Sequence, residues 1–129
     1  MRGHTATLLA ALLVGLEGLG LGALVIWQIV ALVSGDTVSP ETAIALIVLT
    51  AIGAGVVLAF AGAVARGRSW GRSGGIVTQV LVVAVAIGAA TDAYAHPLTG
   101  LAIAVPAVIA FVLLILAARD AGRAASATD

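Results

Sequence analysis

The sequence predicts an all-α membrane protein, a bundle of four transmembrane helices with both termini in the cytoplasm (N-in, C-in). Three observations support this fold class. Of the 129 residues, 62% are hydrophobic and 9% are charged, and the mean hydropathy is +1.23, whereas a soluble domain is about half apolar and about a quarter charged. The chain contains four long apolar runs. If each run crosses the membrane once, all six arginines lie on the same side of the membrane.

The four runs are the predicted spans, at about residues 5–33, 42–65, 75–94 and 98–118. A helix needs about 20 apolar residues to cross ~30 Å of hydrocarbon. The runs lack the two-residue alternation of barrel strands, so we expect helices. Residues 1–129 therefore form one transmembrane domain, in which 119–129 are a small, polar, loosely ordered cytoplasmic tail.

Turn-forming residues separate the spans. The segment 34–41 predicts an N-cap at Ser39, with Pro40 at the first helical position. The segment 66–74 is predicted to be a basic loop, and the segment 95–97 contains a proline suited to starting the last helix.

The arginines set the predicted direction of the chain, because short arginine-rich loops stay in the cytoplasm. They lie before the first span, between the second and third, and after the fourth: Arg2, Arg66, Arg68, Arg72, Arg119 and Arg123. The other two connections contain no arginine, and their charged residues are the acids Asp36, Glu41 and Asp92. We expect a multi-pass protein of the plasma membrane. The alternative, that the first run is a cleaved signal peptide, is disfavoured because no clear A-x-A cleavage site follows it and the apolar character continues to Val33.

Composition excludes several function classes. The net charge is zero, so nucleic acid is not an expected partner. There is no cysteine, and His4 and His96 are the only imidazoles, so neither a metal site nor a cofactor is expected. The sequence places no Ser/His/Asp set within reach of one another, attaches no phosphate-binding glycine loop to a strand and puts no two carboxylates at one depth, so we predict that the protein is not an enzyme.

Small residues recur at helical spacing within the first two spans. Ala11, Gly15, Gly18 and Gly22 share one stripe, and Ala51, Gly55 and Ala59 share another. Helices in lipid associate where small residues let their backbones approach. The stripes either pack the four helices against one another or dock a partner helix.

Glu17 lies near the middle of the first span, where a charged side chain costs about 2.5–3.5 kcal/mol on insertion scales. Gln28 is almost three turns further on, so both share one face that should point into protein. We expect Thr50 at the depth of Glu17, as its hydrogen-bond partner, and Gln79 about one turn below the basic loop. These four intramembrane polar residues are either interhelical hydrogen-bonding groups or, for Glu17, a site for a proton, a cation or a partner subunit.

The basic segment has two interpretations. Arg66, Arg68 and Arg72 anchor the topology, with Trp70 at the headgroup level. The same residues could also bind anionic lipid headgroups or the acidic surface of a partner.

The sequence resembles a group of small four-helix integral membrane proteins common in actinobacteria. The resemblance rests on Leu16-Glu17-Gly18, on Trp27, on Arg66-Gly67-Arg68-Ser69-Trp70-Gly71-Arg72-Ser73 and on Val77-Thr78-Gln79-Val80-Leu81. It covers most of the chain and implies topology without an activity. A looser similarity to the small multidrug-resistance transporters rests on length, span count and Glu17 alone, and the chain has only 4% aromatic residues.

Two functions are expected from these features. The first is a non-enzymatic accessory, assembly or stabilising subunit of a larger membrane complex, because small-residue surfaces are abundant and catalytic groups are lacking. The alternative is a small proton-coupled transporter, acting as a homo-oligomer, that uses Glu17.

Overall fold

The computed structural model describes residues 2–91 and 96–128, which form four α-helices and no strand. The helices are α1 (Arg2–Val33), α2 (Pro40–Ala65), α3 (Ser69–Thr91) and α4 (Pro97–Thr128). Each is long and apolar enough to cross a membrane. The predicted all-α, four-transmembrane-helix bundle is therefore confirmed, while its N-in, C-in orientation stays a prediction.

Local chemistry explains where the helices begin and end. Ser39 is the N-cap of α2: its backbone is extended, and its hydroxyl accepts the Thr42 N–H at 3.4 Å, as the sequence predicted. Pro40 follows at the first helical position, where a missing N–H costs nothing. At the other end of α2, Gly67 has a φ of 71° and the Arg68 N–H donates back to the Ala63 carbonyl at 2.9 Å.

This sharp turn shortens the predicted basic loop. The sequence placed the start of the third span near residue 75, but α3 begins at Ser69, so the loop is confined to residues 66–68. Trp70 and Arg72 accordingly lie in the first turn of a helix and not in a loop. Asp92 and Tyr94, near the predicted end of this span, lie outside the described residues.

The last helix also differs from the prediction. α4 continues through Pro106 and past residue 118 to Thr128, so residues 119–128 are helical and not loosely ordered. The segment is rich in alanine, which has the highest helix propensity.

The helices pack as two hairpins, α1–α2 and α3–α4, and close into a ring because α1 also contacts α4 and α2 contacts α3. α1 and α3 therefore face each other across a diagonal. The core lies in the half of the bundle where the arginines are, and it includes the fully buried Val14, Val64 and Leu114. Beyond Gly18, no residue of α1 is buried.

The outer surface of the bundle is apolar. Leu12, Ile26 and Leu49 are 63%, 66% and 67% exposed, and many other large aliphatic residues share this orientation. A soluble monomer rarely exposes apolar patches of this extent. Lipid is the solvent that such a surface fits.

Candidate functional site

The central polar feature is a hydrogen bond between Gln79 of α3 and Glu17 of α1. Gln79 Nε2 donates to Glu17 Oε2 at 2.6 Å. The Gln79 side chain is fully buried, and Glu17 is partly buried. Because α1 and α3 are diagonal in the ring, this bond crosses the middle of the bundle and links the two hairpins.

The early start of α3 brings Gln79 to this depth. The sequence placed Gln79 about one turn below the basic loop, which is wrong because the helix begins at Ser69. Ten residues of helix, about 15 Å, separate Ser69 from Gln79. That distance places Gln79 in the bundle interior beside Glu17.

The expected hydrogen bond between Glu17 and Thr50 is not formed. The register of α1 and α2 is shown by Gly18, where an added Cβ would lie 2.7 Å from the Leu58 side chain. Thr50 is eight residues from Leu58, or about 12 Å along the helix, so it lies too far from Glu17. Its hydroxyl instead accepts a 3.4 Å hydrogen bond from Gln28 Nε2 and donates to the Leu46 carbonyl at 2.7 Å.

An apolar cleft of about 510 Å³ begins at Glu17 and extends into the half of the bundle away from the arginines. All four helices contribute to its lining, which includes Gly20, Leu24, Val57, Leu81, Val85 and Ile103. The cleft surface exposes no polar atoms. The Glu17–Gln79 bond thus marks the level at which the close-packed core ends and the cleft begins.

Gln79 has a second polar atom, the carbonyl oxygen Oε1, which is buried and has no hydrogen-bond partner. A buried acceptor without a donor costs about 1–3 kcal/mol. Glu17 is the neighbouring group that could supply this donor if its carboxyl is protonated. A neutral carboxyl and a primary amide can each donate a hydrogen bond to the other.

The predicted basic residues gather at the opposite end of the bundle from the cleft. There the start of α1, the end of α2, the start of α3 and the end of α4 surround a cavity of about 480 Å³ lined by His4, Arg66, Arg72 and Asp120, among others. Arg72 Nη1 donates to the Gly67 carbonyl at 2.8 Å. Arg68 is exposed, and the half-exposed Trp70 contacts Phe60 edge-on at 6.0 Å between ring centroids.

The four glycines predicted to mediate packing divide into two pairs. Gly15 and Gly18 pack inside the chain, since a Cβ on Gly15 would lie 3.8 Å from the Ala61 Cβ and one on Gly18 would meet Leu58. A Cβ added to Gly22 or Gly55 would meet nothing within 4 Å. The chain itself therefore does not use the close approach that Gly22 and Gly55 allow.

Helix geometry places Gly22 and Gly55 on the same outer side of the α1–α2 hairpin. On α1, Gly22 lies about 40° to one side of Gly18, and the cleft residue Glu17 lies about 100° to the other. On α2, Gly55 lies about 60° to one side of Leu58, and the cleft residue Val57 lies about 100° to the other. Both glycines thus face away from the cleft, toward lipid.

Among residues 2–91 and 96–128, no three His, Asp or Glu side chains come close enough together to hold a metal ion. Comparison with known proteins adds no further constraint, since no family model, no curated protein and no solved structure matches the chain. The structural features that bear on function are the Glu17–Gln79 pair, the cleft, and Gly22 and Gly55.

Proposed function

We propose that the protein is a non-enzymatic accessory subunit that assembles or stabilises a larger complex in the plasma membrane, with both termini in the cytoplasm. The observation that carries the proposal is the pair Gly22 and Gly55. They lie at one depth on two neighbouring helices, face lipid, and have open space where a side chain would be.

Helix association in lipid depends on close backbone contact, because lipid chains are as apolar as leucine and provide no hydrophobic driving force. Gly22 and Gly55 form the floor of a shallow outer groove between α1 and α2. Gly62, also on α2, extends this floor, since a Cβ there would likewise meet nothing within 4 Å. A transmembrane helix of a partner protein could approach the hairpin closely along this groove.

The test is to fill the groove without disturbing the fold. Gly55→Leu adds a side chain in open space, and Gly88→Leu is a matched control on α3, where an added Cβ also meets nothing within 4 Å. Each variant is expressed in the native host, extracted in mild detergent and analysed by size and mass spectrometry. A hetero-complex that forms in the wild type and in Gly88→Leu but dissociates in Gly55→Leu supports the proposal. A chain that runs alone, or only with copies of itself, contradicts it.

A second candidate, a small proton-coupled transporter, is favoured by the position of Glu17 at the edge of the cleft and by the missing donor at Gln79 Oε1. Binding and release of a proton at Glu17 would make and break a hydrogen bond between the two hairpins. Such a bond is suited to couple protonation to their relative motion.

The transporter candidate is tested in liposomes loaded with a pH-sensitive dye and given a transmembrane pH gradient. We expect wild-type protein to dissipate the gradient faster than Glu17→Gln, which cannot exchange a proton at this site. Glu41→Gln is the control, because Glu41 is exposed in the first turn of α2. Equal rates for wild type and Glu17→Gln would remove the chemical basis of this candidate.

A further inference from the structure

We infer that the cavity at the arginine-bearing end of the bundle binds the phosphate of an anionic phospholipid. The cavity, of about 480 Å³, lies where the start of α1, the turn between α2 and α3, and the end of α4 meet. This inference goes beyond the accessory function, because Gly22 and Gly55 do not line the cavity. The two sites can therefore be tested separately.

The charge of the cavity favours an anion. Its ionisable lining residues, among those the structure describes, are His4, Arg66, Arg72 and Asp120. With a neutral imidazole, two guanidinium groups outweigh one carboxylate, so the net charge of the lining is positive. Neither arginine forms an ion pair within residues 2–91 and 96–128. An anion in the cavity would therefore receive charge-assisted hydrogen bonds from groups that the chain leaves unpaired.

Arg72 is already positioned for such an anion. Its side chain is partly buried, and Nη1 donates to the Gly67 carbonyl at 2.8 Å. This bond uses one N–H group of the guanidinium and leaves the others available. A guanidinium fork can donate two parallel hydrogen bonds to phosphate oxygens. Because the bond to Gly67 restrains the side chain beforehand, less conformational entropy is lost when the anion binds.

A neighbouring cavity favours a phospholipid over free phosphate. This second cavity, of about 390 Å³, shares Arg72 and Ala121 with the first and is also lined by Ser69, Ser73 and Ile76. Ile76 lies within the candidate span Ser69–Gly88, so the cavity leads from the arginines toward lipid. A phospholipid could place its phosphate in the first cavity and its glycerol esters in the second, where serine hydroxyls can donate to ester carbonyls. Basic pockets between transmembrane helices are typical sites for anionic headgroups.

The positions of the arginines provide a test variant and a matched control. Arg66 is exposed and its side chain makes no hydrogen bond within the described part of the chain, so Arg66→Gln removes a charge from the cavity without breaking a contact. Arg119 is exposed at the same end of the bundle and lines neither cavity, so Arg119→Gln removes the same charge outside the site. Asp120→Asn removes the carboxylate that opposes an anion.

The experiment measures lipid binding to the full chain by native mass spectrometry in a neutral detergent. Phosphatidylglycerol is titrated in one arm, and phosphatidylcholine with the same acyl chains is titrated in another. In a third arm, inorganic phosphate is added to the complex with phosphatidylglycerol. The ionic strength is about 0.15 M, at which exposed charges further than ~8 Å from the headgroup are largely screened.

We expect the wild type to bind phosphatidylglycerol in preference to phosphatidylcholine. Arg66→Gln should weaken phosphatidylglycerol binding by at least about fivefold, because it removes a cation beside the headgroup. Arg119→Gln should stay within about twofold of the wild type, since its charge is screened from the site. Asp120→Asn should bind phosphatidylglycerol more tightly than the wild type.

Three results would overturn the inference. Equal losses in Arg66→Gln and Arg119→Gln would show that total charge, and not this cavity, attracts the lipid. Equal binding of the two lipids would exclude recognition of an anionic headgroup, and displacement of the lipid by millimolar inorganic phosphate would identify free phosphate as the ligand. If Arg66→Gln is not monodisperse, Asp120→Asn decides, because unchanged or weaker binding in that variant contradicts an anion site.

Discussion

Gln79 donates a 2.6 Å hydrogen bond to Glu17 from a helix that faces α1 only across the diagonal of the bundle. This bond connects the two hairpins at the depth where their close packing ends. On the arginine-bearing side, Val14, Val64 and Leu114 are fully buried, and on the other side the helices enclose a cleft. The pair therefore holds the hairpins together where aliphatic packing no longer does.

Replacing Gln79 by leucine should lower the free energy of unfolding. The variant removes the amide that donates to Glu17 and also the Oε1 acceptor that a proton on Glu17 would satisfy, so the Glu17 carboxyl is left partly buried without either partner. We expect a loss of about 1–3 kcal/mol, the cost of an unsatisfied buried polar group. The measurement is reversible unfolding in mixed micelles of mild and denaturing detergent.

The Gln28–Thr50 pair is the internal control for that measurement. It joins two helices that already pack along their length, and its 3.4 Å distance is long for a hydrogen bond. Gln28→Leu should therefore cost no more than about 0.6 kcal/mol, the average for interhelical bonds in lipid. A larger loss for Gln28→Leu than for Gln79→Leu would contradict the special position of the diagonal bond.

Gly71→Ala should destabilise the contact between α2 and α3. An added Cβ would lie 2.5 Å from the Ala63 Cβ and 2.7 Å from the Val64 backbone nitrogen, and backbone atoms cannot rotate away. We expect a loss of about 1–3 kcal/mol from overpacking, measured by the same unfolding assay. Gly22→Ala, which meets nothing within 4 Å, should be neutral or stabilising in the isolated chain, and equal losses for the two variants would disprove the packing assigned to Gly71.

Gly67→Ala should weaken the turn that starts α3. Gly67 has a φ of 71°, a left-handed conformation that costs a residue with a Cβ about 1–2 kcal/mol. The matched variant Gly62→Ala lies inside α2 with open space around it, so it should lose no stability. Thermal unfolding of both variants, followed by circular dichroism, gives the comparison; unchanged stability of Gly67→Ala would show that the turn has rearranged.

The predicted orientation can be tested with single cysteines, because the chain contains none. Val38→Cys lies at a fully exposed position of the loop between α1 and α2, and Ser126→Cys lies on the exposed end of α4. If the arginine-rich end faces the cytoplasm, a membrane-impermeant maleimide should label position 38 in intact cells and position 126 only after permeabilisation. The reverse pattern would refute the N-in, C-in topology.

The sequence by itself determined the fold class, because apolar run length is a local property that lipid imposes on each span separately. It also identified Ser39 as a helix cap, since capping depends on a few adjacent residues. The start of α3 was misplaced because its first turn is polar and basic, so hydropathy alone could not separate that turn from the loop. Because the predicted start of α3 was too late in the sequence, Gln79 was placed too close to the basic loop.

Only the tertiary structure decided which polar residues meet. The pairing of Glu17 with Gln79 instead of Thr50 depends on the register of one hairpin and on the ring order of four helices, and neither is encoded in residue spacing along a single helix. The same register and ring order determine which glycines pack inside the chain and where the cleft lies. A glycine's spacing shows that close approach is possible, but the packed neighbours determine whether another helix, a lipid chain or a partner occupies the space.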